Sequence, residues 1–147
     1  MTVENSAPVT DKPSFIQTIF RIWLGISLLF AGYSHLTFAR VEFLAQVPTW
    51  LPMDGDLVVV LSGIVELILG AALIVMSGKY RLLTGWIVAA FFVVIFPGNI
   101  SQYVNRIDAF GLNTDQARLI RLLFQPLLVI VALWSTGAWR AWRKNKA

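Results

Sequence analysis

Cysteine is absent from the 147 residues, histidine occurs once, and only 14% of positions are charged. Without thiols there is no disulfide framework, no thiolate metal site and no thiol–disulfide chemistry. His35 alone cannot build a bis-histidine haem site or a transition-metal cluster within one chain, so no metal site is expected. The charge content falls well short of the ~25% of a soluble domain and is too low for a water-facing surface. No soluble basic face or base-stacking platform is visible, so the formal charge of +4 points to a membrane surface rather than to nucleic acid.

Apolar residues make up 57% of the chain, and the mean hydropathy is +0.71. Four stretches, 15–36, 57–77, 82–100 and 119–139, each approach the ~20 residues that cross a hydrocarbon core as a helix. A bilayer offers a spanning backbone no partner but its own, so an all-α, four-helix integral membrane bundle over 15–139 is predicted. Residues 1–14 carry Glu4 and Asp11 beside Lys12. They lack the basic character of a signal peptide and read as a flexible tail, so the first stretch is kept as a span. Residues 140–147 read as a basic tail, with Trp139 and Trp142 as interfacial anchors against anionic lipid.

Lys12, Arg21, Lys79, Arg81, Arg140, Arg143, Lys144 and Lys146 fall on the side of the termini, against Arg40, Arg106, Arg118 and Arg121 on the other. Eight against four predicts both termini in the cytoplasm. The four-residue connection 78–81 makes the second and third spans antiparallel neighbours, and the two loops on the opposite side have about twenty residues each. In the first, Phe38, Val41, Leu44 and Val47 recur at helical spacing opposite Arg40 and Gln46. A short amphipathic helix on the outer surface follows, ended by Pro48 and Pro52 and capping the bundle.

An ionisable residue at a span centre costs ~2.5 to 3.5 kcal/mol even on lenient insertion scales, so Glu66, tenth in its span, needs a reason. Ser62, Glu66 and Gly70 share one face, which turns the acid into the bundle. A carboxylate there needs a cation, several donors or a proton of its own. On the first span Arg21, Gly25, Leu28, Gly32 and His35 form a small-and-polar stripe. At ~1.5 Å per residue Arg21 is ~8 Å from Glu66 in height and Gln125 within ~5 Å, while Arg118, Arg121 and His35 lie towards the outer mouth. Pro126 frees a carbonyl beside Gln125, and Pro97, Gly98 and Asn99 interrupt the third span before Gln102 and Tyr103. Glu66, Gln125, His35, Arg21, Asn99, Gln102, Tyr103 and Arg121 are therefore the candidate lining of an outward-facing polar cavity. A polar network that only fixes helix register fits the same residues.

The segments Arg21-Ile22-Trp23-Leu24-Gly25, Phe30-Ala31-Gly32, Ser62-Gly63-Ile64-Val65-Glu66-Leu67 and Gly70-Ala71-Ala72-Leu73 resemble the DoxX family of small four-helix membrane proteins. So do Phe96-Pro97-Gly98-Asn99-Ile100 and Arg121-Leu122-Leu123-Phe124-Gln125-Pro126. The resemblance implies a bacterial inner-membrane bundle acting as a membrane subunit or scaffold of a quinone-linked redox system. A quinone or lipid would be its ligand, and a redox protein or a second copy of the chain its partner. No self-contained catalytic site accompanies it, and no catalytic residue carries over. A proton-coupled exporter working through Glu66 and a ligand-free assembly factor are the alternatives.

Overall fold

The computed structural model describes residues 10–147. Its helices are α1 (Phe15–Leu36), α2 (Arg40–Gln46), α3 (Gly55–Val75), α4 (Gly78–Val104), α5 (Asp115–Ser135) and α6 (Ala138–Lys146), with no strand among the described residues. Helices α1, α3, α4 and α5 are long and apolar enough to cross a membrane. The chain is a multi-pass, all-α membrane bundle.

Local chemistry sets the ends of these helices. Ser14 opens α1 with a capping box, its hydroxyl accepting from the Gln17 N–H while the Gln17 side chain accepts from the Ser14 N–H. Asp54 caps α3 and Thr114 caps α5, which starts these spans two and four residues earlier than the apolar runs suggest. Helix α4 does not break at Pro97 but continues to Val104, because membrane depth offers the chain no other way to pair its backbone. The loop before α5 is accordingly ten residues long rather than about twenty. Gly137, at φ +78°, ends the α5 turn in the left-handed conformation, and the basic tail then winds into α6.

Two of nine residues of α6, Trp139 and Trp142, stack at 5.0 Å, and Lys146 lies 4.3 Å over the Trp142 ring. Where a flexible tail is predicted for 1–14, the described part, 10–14, is tied down: Asp11 pairs with Lys144 and Arg140, and its carbonyl accepts from Arg81. The hydrogen bond from the Lys144 ammonium holds the Asp11 carboxyl below its usual value. Residues 1–9 of that predicted tail lie outside the described residues.

Packing divides the spans into two antiparallel pairs, α1 with α3 and α4 with α5. On α1 the seam is Arg21, Gly25, Leu28, Gly32 and His35, and on α3 it is Val59, Gly63, Glu66, Gly70 and Leu73, each alternating in steps of four and three. The seam passes through Gly63, and the half-buried Ser62 beside it faces the space between the helix pairs with Glu66. At the two crossing points a Cβ built on Gly70 would stand 2.7 Å from the Gly25 carbonyl, and one on Gly32 2.6 Å from the Gly63 carbonyl. Glycine is thus required by backbone-to-backbone approach, the usual means of holding helices together where lipid removes the hydrophobic drive.

The short α3–α4 connection, Met76 and Ser77, suggests a tight hairpin, yet these two helices touch only sparingly. An apolar cluster of Leu24, Leu28, Leu69, Leu73, Val88, Ala89, Phe92 and Ala132 fills the half of the bundle nearer the termini. Towards the α2 end the pairs stand apart. Glycines aside, the buried residues among those described are thirteen polar or charged and twelve apolar, while Phe15, Phe30, Val94 and Leu123 are exposed. A surface that is greasier than the interior suits lipid, not water.

Helix α2 follows the same inversion. Its stripe of Phe38, Val41 and Leu44 points outward, and Gln46 is buried in the bundle. Arg40 anchors the helix through a two-pronged pair with Asp56 at 2.8 and 2.5 Å. Both side chains are about half exposed, so Arg40→Ala should leave the unfolding midpoint in detergent almost unchanged.

Candidate functional site

Between the two helix pairs, above the apolar cluster and beneath α2, lies a cavity of about 750 Å³. Leu24, Leu28 and Phe92 form its floor, shared with the core, and Trp23, Phe30, Leu61, Val94 and Phe124 supply much of the apolar wall. Polar groups face it from two sides.

One side is the α1–α3 seam. His35 Nδ1 stands 2.7 Å from Glu66 Oε2 and 2.9 Å from the Ala31 carbonyl oxygen. That carbonyl can only accept, which assigns a hydrogen to Nδ1. Oε2 lies off the N–H axis: it is buried, close to the imidazole, and without an in-line hydrogen bond. The Phe43 ring of α2 stacks on the imidazole at 3.4 Å, and Phe110 packs edge-on against Phe43. The meeting of His35 and Glu66 has a simple cause. Helical side chains tilt towards the N-terminus of their own helix. In an antiparallel pair His35 therefore reaches back along α1 while Glu66 reaches up along α3, and the two close a gap that backbone heights alone leave open.

The other side is α4 and α5. Asn99 donates to Gln125 at 3.1 Å, and Gln125 donates to the Phe92 carbonyl at 2.9 Å, one turn below Pro97. Proline supplies no N–H to the helix ladder, and the Gln125 amide satisfies a carbonyl where that ladder is disturbed. Arg121 donates to Asn99 at 3.3 Å and to Gln46 at 3.4 Å, with its guanidinium 5.0 Å over the Phe110 ring. Gln46 in turn donates to Gln102 at 2.6 Å, and Gln102 faces the carbonyls of Ile107 and Ala109 at 3.4 Å.

Of the eight residues expected from sequence, Glu66, His35, Asn99, Gln125 and Arg121 line the cavity. Gln102 is fully buried and reaches it only through Gln46. Tyr103 is half-buried and lies off the cavity wall. Arg21 is at the opposite end: tilting towards its own N-terminus, it donates to the Leu73 and Met76 carbonyls at 2.8 and 3.2 Å, where a cation suits the C-terminus of α3. Arg81 does the same for the Thr136 carbonyl. His35, expected at the mouth, is instead the partner of Glu66. Phe43, Phe110 and the inward role of Gln46 were not among the expected residues, and the one sequence signal for them is that a lipid-facing α2 must turn its polar side in.

The cavity thus offers an apolar body, a carboxylate beside an imidazole on one wall, and a guanidinium with two amides on the other. Such a set can hold the polar head of an amphiphile and exchange a proton with it. Among the described residues no group of three or more His, Asp or Glu side chains could hold a metal ion. Comparison with curated proteins finds no match, and neither does comparison with solved structures. The family model described as a domain of unknown function (DUF8561) matches residues 24–136, a stretch that includes all these polar side chains, and the chain belongs to that family.

Proposed function

We propose that this protein is a DoxX-like membrane subunit that binds one lipidic ligand with a polar head, in the first instance a quinone, and serves a partner redox protein. The DoxX resemblance implies a bacterial inner membrane, and the excess of Lys and Arg beside the termini supports both termini in the cytoplasm and the cavity in the outer half. One observation carries the reading: a cavity of about 750 Å³, apolar in most of its wall, in which Glu66 and His35 face Arg121, Asn99 and Gln125. Arg121 and the Asn99 amide are donors suited to ring oxygens. Glu66 and His35 can give a proton to a ring oxygen as the quinone takes electrons from the partner, and take one back as the quinol returns electrons to it. The exposed aromatic wall suits a chain that remains in contact with the bilayer.

Extraction of the protein from its membrane in mild detergent, followed by mass analysis of bound lipid, tests this. Wild type should carry a lipidic quinone, and Glu66→Gln should lower its occupancy several-fold while leaving the fold intact. An empty wild type, or equal occupancy in the variant, contradicts the reading.

A further inference from the structure

Arginines at the α2 end of the bundle are treated unequally. Arg40 pairs with Asp56, Arg106 with Asp115, and Arg118 with both Asp108 and Asp115. Arg121 alone lines the cavity, and no described carboxylate comes within 4.0 Å of it. Its protein contacts are two neutral amide oxygens at 3.3 and 3.4 Å, both longer than an ordinary N–H···O bond, and the face of Phe110. The guanidinium has five N–H donors, and its Nη1 pair has no acceptor among the described residues. Of the two acids that share the cavity wall, Glu66 is against His35, and Glu42 is exposed at the rim, more than 4.0 Å from the Arg121 guanidinium. Arg21 and Arg81, buried and also without carboxylates, sit on helix C-terminal carbonyls, a solution not open to the half-buried Arg121.

A permanently charged, half-buried group at the outer end of a largely apolar cavity, with weak neutral partners, lacks its counter-charge. We infer that the ligand supplies it: the cavity selects amphiphiles whose head carries a single anionic oxygen group, a carboxylate or an ionised ring hydroxyl, seated on Arg121. This rests on the lipid-binding reading above and narrows it from a polar head to an acidic one. The apolar body would lie along Leu24, Leu28 and Phe92, with His35 and Glu66 meeting a second polar atom where the head has one.

Binding of hexadecanoate and of its uncharged methyl ester to the purified full chain, titrated by native mass spectrometry, tests the inference. Wild type should prefer the carboxylate by about tenfold or more, the scale of one charge-assisted hydrogen bond. Arg121→Lys should keep most of that preference and Arg121→Gln should abolish it, the loss of affinity falling far more on the acid than on the ester. Equal binding of acid and ester to wild type overturns the acidic head while leaving a lipid-binding cavity. A preference that survives in Arg121→Gln overturns the assignment to Arg121. Failure of wild type to bind either probe, together with an empty cavity after extraction, overturns the lipid-binding reading itself.

Discussion

Gly32→Val should cost the bundle about 3 kcal/mol or more, because its added Cβ alone would stand 2.6 Å from the Gly63 carbonyl and 2.9 Å from the Leu67 side chain. Neither neighbour can retreat without parting α1 from α3, the most extensively packed pair in the molecule. The same substitution at Gly70 meets the Gly25 carbonyl at 2.7 Å and should behave alike. Gly78→Ala is the informative comparison: its φ is +56° but no atom lies within 4 Å, so it should lose only about 1 kcal/mol through backbone strain. Denaturant titration in detergent, with size-exclusion profiles of the purified variants, reads all three. Similar losses at Gly32 and Gly78 would mean that crowding at the seam is not what these glycines relieve.

His35→Leu should destabilise the protein by about 1 to 3 kcal/mol, since it replaces the imidazole 2.7 Å from the buried Glu66 Oε2 with an apolar side chain. Combining it with Glu66→Met should recover a large part of that loss, because an apolar pair at the seam carries no desolvation penalty. The coupling between the two sites, measured as a double-mutant cycle, should therefore be well above the few tenths of a kcal/mol of independent positions. Ligand occupancy separates a binding role from a purely architectural one. If the pair serves binding, the double variant is folded yet empty. A folded double variant that keeps its ligand would assign the pair to register alone.

The spans were readable because the bilayer imposes both length and apolarity, and α1 runs over the same residues that its apolar run marks, 15–36. The seam of α1 was readable too, since small and polar side chains stand out on an apolar helix. On α3 the face of Ser62 and Glu66 does turn inward, to the cavity, while the contact with α1 runs through the neighbouring Gly63, because spacings of three and of four both return to one face of a helix. The partner of Glu66 escaped for a different reason. Heights counted along the backbone place Arg21 and Gln125 nearer to Glu66 than His35, but side-chain tilt carries Arg21 away from the acid and His35 towards it. Pro97 looked like a helix end because proline breaks ladders in water. At membrane depth the helix continues, and Gln125 from the neighbouring span serves the disturbed turn.

The most direct test of a ligand cavity between the α1–α3 and α4–α5 pairs is a density map of the full chain, purified in mild detergent with nothing added. The account predicts one elongated feature, its polar end between His35–Glu66 and Arg121 and its apolar end on Leu24, Leu28 and Phe92. A cavity holding only ordered water, or closed by α2 and Phe43 onto Asn99 and Gln125, would contradict it.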